Sequence, residues 1–315
     1  MASSAIVGFP QELIDTVIDY VKWNEPYRPP NVDILMTNVN KLQVIQRRDL
    51  RTCSLVSKAW LPRSRYHLFY HIALRPDRTH PPRFLKLLDS LHGTIAPYVR
   101  HLELHEGRVT KDWEKVWLNK ALPRLAVMTG VESIYISHGN FGKFNDIAIA
   151  ALLSSFSKLT YLRLGYCSFS SVPQFLGLLS ASVQLEHLAL VSVKTEPESS
   201  NRTCMLPAVF RRRKNTVCEK EGGHVPSISP GLAVAHLRIL EISESECGFM
   251  KEFLAWLQCG IQIPPVDTLR LNIEVTDDIS SYSELMRILG SSLISLEIQF
   301  ATRFGAFRSE AAGIY

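Results

Sequence analysis

A short pattern recurs along most of this 315-residue chain: apolar, two variable residues, apolar, one variable residue, apolar. Its copies are Val99–Leu102–Leu104, Val131–Ile134–Ile136, Leu159–Leu162–Leu164, Leu185–Leu188–Leu190, Leu237–Leu240–Ile242, Val266–Leu269–Leu271 and Leu293–Leu296–Ile298. Their starts lie 32, 28, 26, 52, 29 and 27 residues apart, and 52 is twice 26, so one copy is degenerate or interrupted. Phe69–Ile72–Leu74 fits the same template 30 residues before the first copy. Helical stretches are predicted between the copies at 84–91, 147–156, 173–180, 249–257 and 284–289. Strand and helix alternating at one period predict a parallel sheet, because a parallel strand is reached only through a crossover. The fold class is therefore α/β.

A period of this length with this pattern resembles the leucine-rich repeat, which implies a curved solenoid over 69–315. Alternation within each strand sends the paired apolar residues inward and the residues beside them outward. The middle outward row reads Glu103, Tyr135, Arg163, Ala189, Glu241, Arg270, Glu297. The row before it contains Tyr161 and His187, and the row after it contains His105 and Ser137. Aromatic and arginine side chains are frequent binding anchors, so Tyr135, Tyr161, Arg163 and Arg270 are expected to hold a protein target. Residues 194–230, rich in Pro, Ser, Glu and Arg, are expected to form a loop insert in place of the missing copy.

The N-terminal part follows different rules. Phe9-Pro10-Gln11-Glu12-Leu13-Ile14 opens an apolar stripe through Val17, Ile18 and Val21, with Pro10 at the helix start. Asp49-Leu50 leads through Cys53 and Val56 to Trp60, and Pro62 opens a third short helix ending near Leu68. Helices this small cannot bury their apolar faces alone. In order, spacing and residue type the run resembles the F-box: Phe9-Pro10-x-Glu12-Leu13, Tyr20-Val21, Asp49-Leu50, and Val56 four residues before Trp60. The stretch from Tyr66 to Leu74 is similar to the end of many fungal F-box proteins. One departure is an insert at 22–47 where the family has a short turn. The resemblance implies an F-box-like module over 1–68 that docks on a Skp-type adaptor, and through it on a cullin. Pro10, Leu13, Ile14, Val17, Ile18, Leu50, Val56 and Trp60 would make the adaptor contact. The function implied is the substrate-recognition subunit of an SCF-type ubiquitin ligase. The alternative is a repeat scaffold outside any ligase, its F-box-like helices serving as the solenoid cap.

Composition narrows the remaining classes. No apolar run reaches the length of a membrane span, and the N-terminus lacks a basic segment followed by a long apolar one. Six cysteines without a CxxC pair suit reduced thiols, so a cytoplasmic or nuclear location is expected. The net charge is +5, and residues 201–220 alone hold six bases against one acid, so no basic face spread over a domain points to specific nucleic-acid binding. Arg211–Lys214 matches a short nuclear-import run. His101, Glu103 and His105 share a strand face but lack a fourth ligand nearby, and nucleotide-binding and Gly-x-Ser-x-Gly motifs are absent. Neither a cofactor nor catalysis is expected of this chain.

Overall fold

The computed structural model describes residues 10–23, 48–76, 81–90, 95–106, 117–196, 235–243, 247–259, 264–274 and 279–301. The chain divides into two compact units. One runs to Ile72 and takes in the stretch ending at His101; the other begins at Ala73 and resumes at Leu102. The stretch before β2 thus belongs to the first unit.

The first unit is helical. Helix α1 spans Gln11–Trp23, helical residues 48–56 form α2, and α3 spans Leu61–Phe69. Pro10 sits just outside α1, where its carbonyl accepts the Leu13 and Ile14 amides at 3.1 and 3.2 Å. Ile14, Ile18 and Leu50 form the unit's core, with Val21, Cys53, Trp60 and Leu68 packed against it. Each such burial contributes about 2 kcal/mol of gross transfer free energy. A polar clamp sets the rotation of α1. Asp19 accepts Arg63 through both carboxylate oxygens at 2.6 Å, and His67 Nε2 lies 2.6 Å from the same carboxylate. At the other end, Gln11 donates to Asp15 at 2.8 Å and to the Ala59 carbonyl at 3.3 Å.

The second unit is an α/β structure built on a parallel sheet. The strands of the sheet are β1 His71–Leu74 and β2 His101–His105, whose first residues are counted with the first unit, then β3 Ser133–Ser137, β4 Tyr161–Gly165, β6 His187–Val191, β8 Ile239–Ser243, β9 Thr268–Glu274 and β10 Ser295–Ala301. Their order in the sheet follows their order in the chain. Two short strands, β5 Ser168–Phe169 and β7 Lys194–Thr195, pair separately. Lys194 and Thr195, assigned to the loop insert from sequence, are therefore strand residues; the rest of that insert beyond Glu196 lies outside the described residues. So do the residues of the earlier insert beyond Trp23.

Helices α4 Pro81–Leu88, α5 Trp117–Leu125, α6 Asp146–Ser155, α7 Val172–Ala181, α8 Cys247–Cys259 and α9 Ile279–Leu289 connect the strands and pack in sequence on one another. Local chemistry starts several of them. Asn145 caps α6 by accepting the Ala148 amide at 2.8 Å, and Pro173 occupies the first turn of α7. Helix α5, not expected from the sequence, carries Pro123 in its last turn. Asn119 ties it to the next helix, donating to the Lys143 carbonyl and accepting the Asn145 amide.

The core lies between the apolar strand rows and the buried helix faces, and a chain of rings extends it. Phe141 stacks on Phe169 at 4.3 Å, Phe169 meets Phe175 edge-on, and Phe175 meets Phe249 and Phe253.

The same device ends three strands. His138, Tyr166 and Ser192 adopt left-handed backbone with φ of 57°, 54° and 51°. Their amides donate to Gly165, Val191 and Ser243 of the next strand at 2.7–2.8 Å. A non-glycine residue there costs about 1–2 kcal/mol, which the bond and the turn it permits offset. Just beyond Tyr166, the buried Cys167 thiol donates to the Ile136 and Gly165 carbonyls, and burial pushes its pKa up to about 12. This thiol is a structural donor and not a nucleophile.

The Asp19 clamp gives a pH signature. Arg63's hydrogen bond holds the Asp19 carboxyl below its ordinary value, with His67 adding to it and partial burial opposing. Its contribution is therefore present above the unfolded carboxylate value of about 3.9 and is lost as pH falls through the lower folded value. Asp19→Asn should be less stable than wild type at neutral pH by on the order of 1 kcal/mol, given the clamp's partial exposure. Urea melts should show that gap closing below about pH 4.

Candidate functional site

Two surfaces carry the residues expected to bind partners, one in each unit. On the helical unit, α1 divides its apolar residues between two faces. Ile18 is fully buried and Ile14 nearly so, whereas Leu13 is 50 % and Val17 45 % exposed. Tyr20, seven residues after Leu13, continues the exposed stripe. Leu55 and Val56 at the end of α2 are also exposed.

The eight expected adaptor contacts therefore separate. Ile14, Ile18 and Leu50 belong to the unit's own core and hold α1 to α2. Trp60 packs part-buried against that core at the start of α3. Pro10, Leu13, Val17 and Val56 face outward. Tyr20 and Leu55 are exposed beside them, Tyr20 seven residues from Leu13 on the same helix face.

On the sheet, the three outward rows align as the repeat predicts. Tyr135 pairs with Arg163, Arg163 with Ala189, Ala189 with Glu241, Glu241 with Arg270, and Arg270 with Glu297. Tyr161 pairs with His187 in the row before, their rings 4.5 Å apart and edge to face. The expected target-binding residues are thus all on one face, but they are not equally available. Arg163 is only 8 % exposed, its guanidinium 5.4 Å from the centre of the Tyr135 ring. Burial raises the Tyr135 hydroxyl pKa, with Arg163 opposing. Gly165 leaves room for that ring, since a Cβ there would stand 2.9 Å from the Tyr135 hydroxyl oxygen. Arg270 is more open and pairs with Glu297 at 3.1 Å.

A connected polar set supports the same face at β2 and β3. Arg75 donates to Glu103 at 2.7 Å, His105 Nε2 meets the same carboxylate oxygen at 2.5 Å, and His105 Nδ1 meets the Ser137 hydroxyl. The order serine, imidazole, carboxylate is that of a hydrolytic triad, but Ser137 is 1 % exposed. The set braces His105 edge-on against Tyr135. His101, the other histidine of the strand, packs its ring on Tyr70. Among the described residues no three or more His, Cys, Asp or Glu side chains gather as a metal site, and no helix is long and apolar enough to cross a membrane.

No protein-family model matches this chain, and no curated protein matches it.

The uneven exposure of the row sets an expectation for stability. Tyr135→Ala removes a packed ring and should cost about 1–3 kcal/mol in denaturant unfolding. Arg270→Ala removes an exposed pair and should stay within about 0.5 kcal/mol of wild type.

Proposed function

We propose that this chain is the substrate-recognition subunit of an SCF-type, cullin-RING ubiquitin ligase. The helical unit acts as an F-box that docks on a Skp-type adaptor, which joins it to the cullin. The second unit is a curved, leucine-rich-repeat-like solenoid that holds a protein target on its outward rows. The mechanism is proximity: tethering the target raises the effective concentration of its lysines at the ubiquitin-charged enzyme. No side chain of this chain takes part in bond making.

The observation that carries the proposal is the division of α1. A helix whose inner residues are already sealed by its own unit has no internal use for Leu13, Val17 and Tyr20, and such a stripe suits an apolar partner. The residue order from Phe9 to Trp60 supports the F-box assignment. The sequential parallel sheet, with a helix in most crossovers and strands at the repeat period, supports the solenoid. Within the outward rows, Tyr135, Tyr161 and Arg270 are part-exposed and Arg163 is buried beside Tyr135, so Tyr161 and Arg270 are the anchors that can be changed without disturbing that packed pair.

Titration with a purified Skp-type adaptor tests the proposal. Wild type should bind at sub-micromolar strength. Leu13→Asp, Val17→Asp and Val56→Asp should each weaken binding at least tenfold while keeping the far-UV circular dichroism, because each places a charge in an apolar contact yet leaves the module core intact. Ile18→Asp should instead lose helical signal, since its charge would lie inside the unit. Absence of wild-type binding would remove the ligase assignment. Separately, replacing Tyr161 and Arg270 with Ala should deplete the proteins retained on the chain under proteasome blockade; an unaltered set would place target capture elsewhere.

A further inference from the structure

Strand β10 differs from every other strand of the sheet. Its outer edge has no hydrogen-bonded neighbour among the described residues, since it is the last in the order. It is seven residues long, whereas β1 at the opposite end has four and is followed by Arg75 and Pro76. Leu296, Ile298 and Phe300 alternate along it in register with the buried Leu269, Leu271 and Ile273 of β9. They continue the core row, yet they are exposed, Phe300 by 70 %. No described helix follows β10 to cover them. A long edge with no proline and no lysine, its one charge being Glu297, has few of the usual devices against strand pairing.

We propose that the occupant of this edge is a second copy of the same chain, paired antiparallel through β10 about a two-fold axis normal to the sheet. Such an axis keeps the same face of both sheets on the same side, so apolar meets apolar. The sequence Ser-Leu-Glu-Ile-Gln-Phe-Ala is self-complementary in that arrangement. Centring the axis on Ile298 is the register that pairs all seven residues. Ile298 then stands opposite its own mate, Leu296 opposite Phe300, and Glu297 opposite Gln299. Shifting the centre by one residue to Glu297 would set two glutamates directly opposite each other, a repulsive pair. Glu297 is moreover held on its own side by Arg270 at 3.1 Å, leaving the Gln299 amide as its cross-axis donor. The surface involved is distinct from the stripe on α1, so this proposal stands independently of the ligase assignment.

Sedimentation velocity of the full chain over roughly 1 to 100 µM should show a monomer–dimer equilibrium, since one strand pair makes a small interface. Gln299→Glu creates two Glu–Glu oppositions per dimer and should weaken the equilibrium about tenfold. Gln299→Lys creates two Glu–Lys pairs and should tighten it by a similar factor. Position 299 is exposed, so neither change disturbs the fold. Ile298→Cys should cross-link to itself under mild oxidation while wild type does not, and Leu296→Cys alone should fail because its opposite is Phe300. A chain that stays monomeric across the range overturns the proposal, including one whose outer β10 amides resist hydrogen exchange because residues 302–315 take the edge. A dimer indifferent to both changes at Gln299 overturns it as well, as does cross-linking of Leu296→Cys in preference to Ile298→Cys.

Discussion

The shared register of the apolar rows is what the second unit depends on. From β3 to β10 each alternate Leu or Ile sits opposite its counterpart in the next strand, which fixes both faces of the sheet at once. A slip of one residue would turn the core row to solvent and bury the polar rows. The backbone guards against that slip at both strand ends. At the start, single carbonyls such as Glu132, Thr160, Glu186, Arg238 and Asp267 each accept two successive amides from the following strand. At the far end of β3, β4 and β6, a left-handed residue reaches across to the next strand. Register, rather than any one contact, therefore determines which side chains are free for a partner.

The same logic explains why the outward face is less open than alternation suggests. Neighbouring strands stand only about 4.8 Å apart, so large side chains in one row cover one another. Arg163 lies beside Tyr135, Gly165 makes space for that ring, and His105 holds it edge-on from the other side. Toward β9 the row opens again, where Arg270 is part-exposed and pairs with the exposed Glu297. In the helical unit, the Asp19–Arg63 clamp has the comparable role. It sets the rotation of α1 that sends Ile14 and Ile18 inward and leaves Leu13 and Val17 outward.

Much of this was legible in the residue order, and the exceptions have physical causes. The long strands follow from a spacing that only a crossover geometry satisfies, and all eight lie where the repeat puts them. Helix α5 was hidden by Pro123, which reads as a break but is accommodated in the last turn. Strands β5 and β7 are two residues long and carry no alternation to detect. For α1, Leu13 and Ile14, like Val17 and Ile18, are adjacent residues about 100° apart on the helix, so the apolar pattern alone cannot say which pair turns inward. That choice is made by Leu50 and Arg63, residues distant in sequence. The burial of Arg163 likewise arises from a cross-strand neighbour, 28 residues away in the chain.

Hydrogen exchange of the full chain with and without a Skp-type adaptor examines the ligase assignment most directly, because it locates the contact as well as detecting it. Added protection should concentrate on Gln11–Trp23 and on residues 48–56, with the strands from Ser133 onward unchanged. Exchange that is identical in both samples, or protection confined to the sheet, would contradict it.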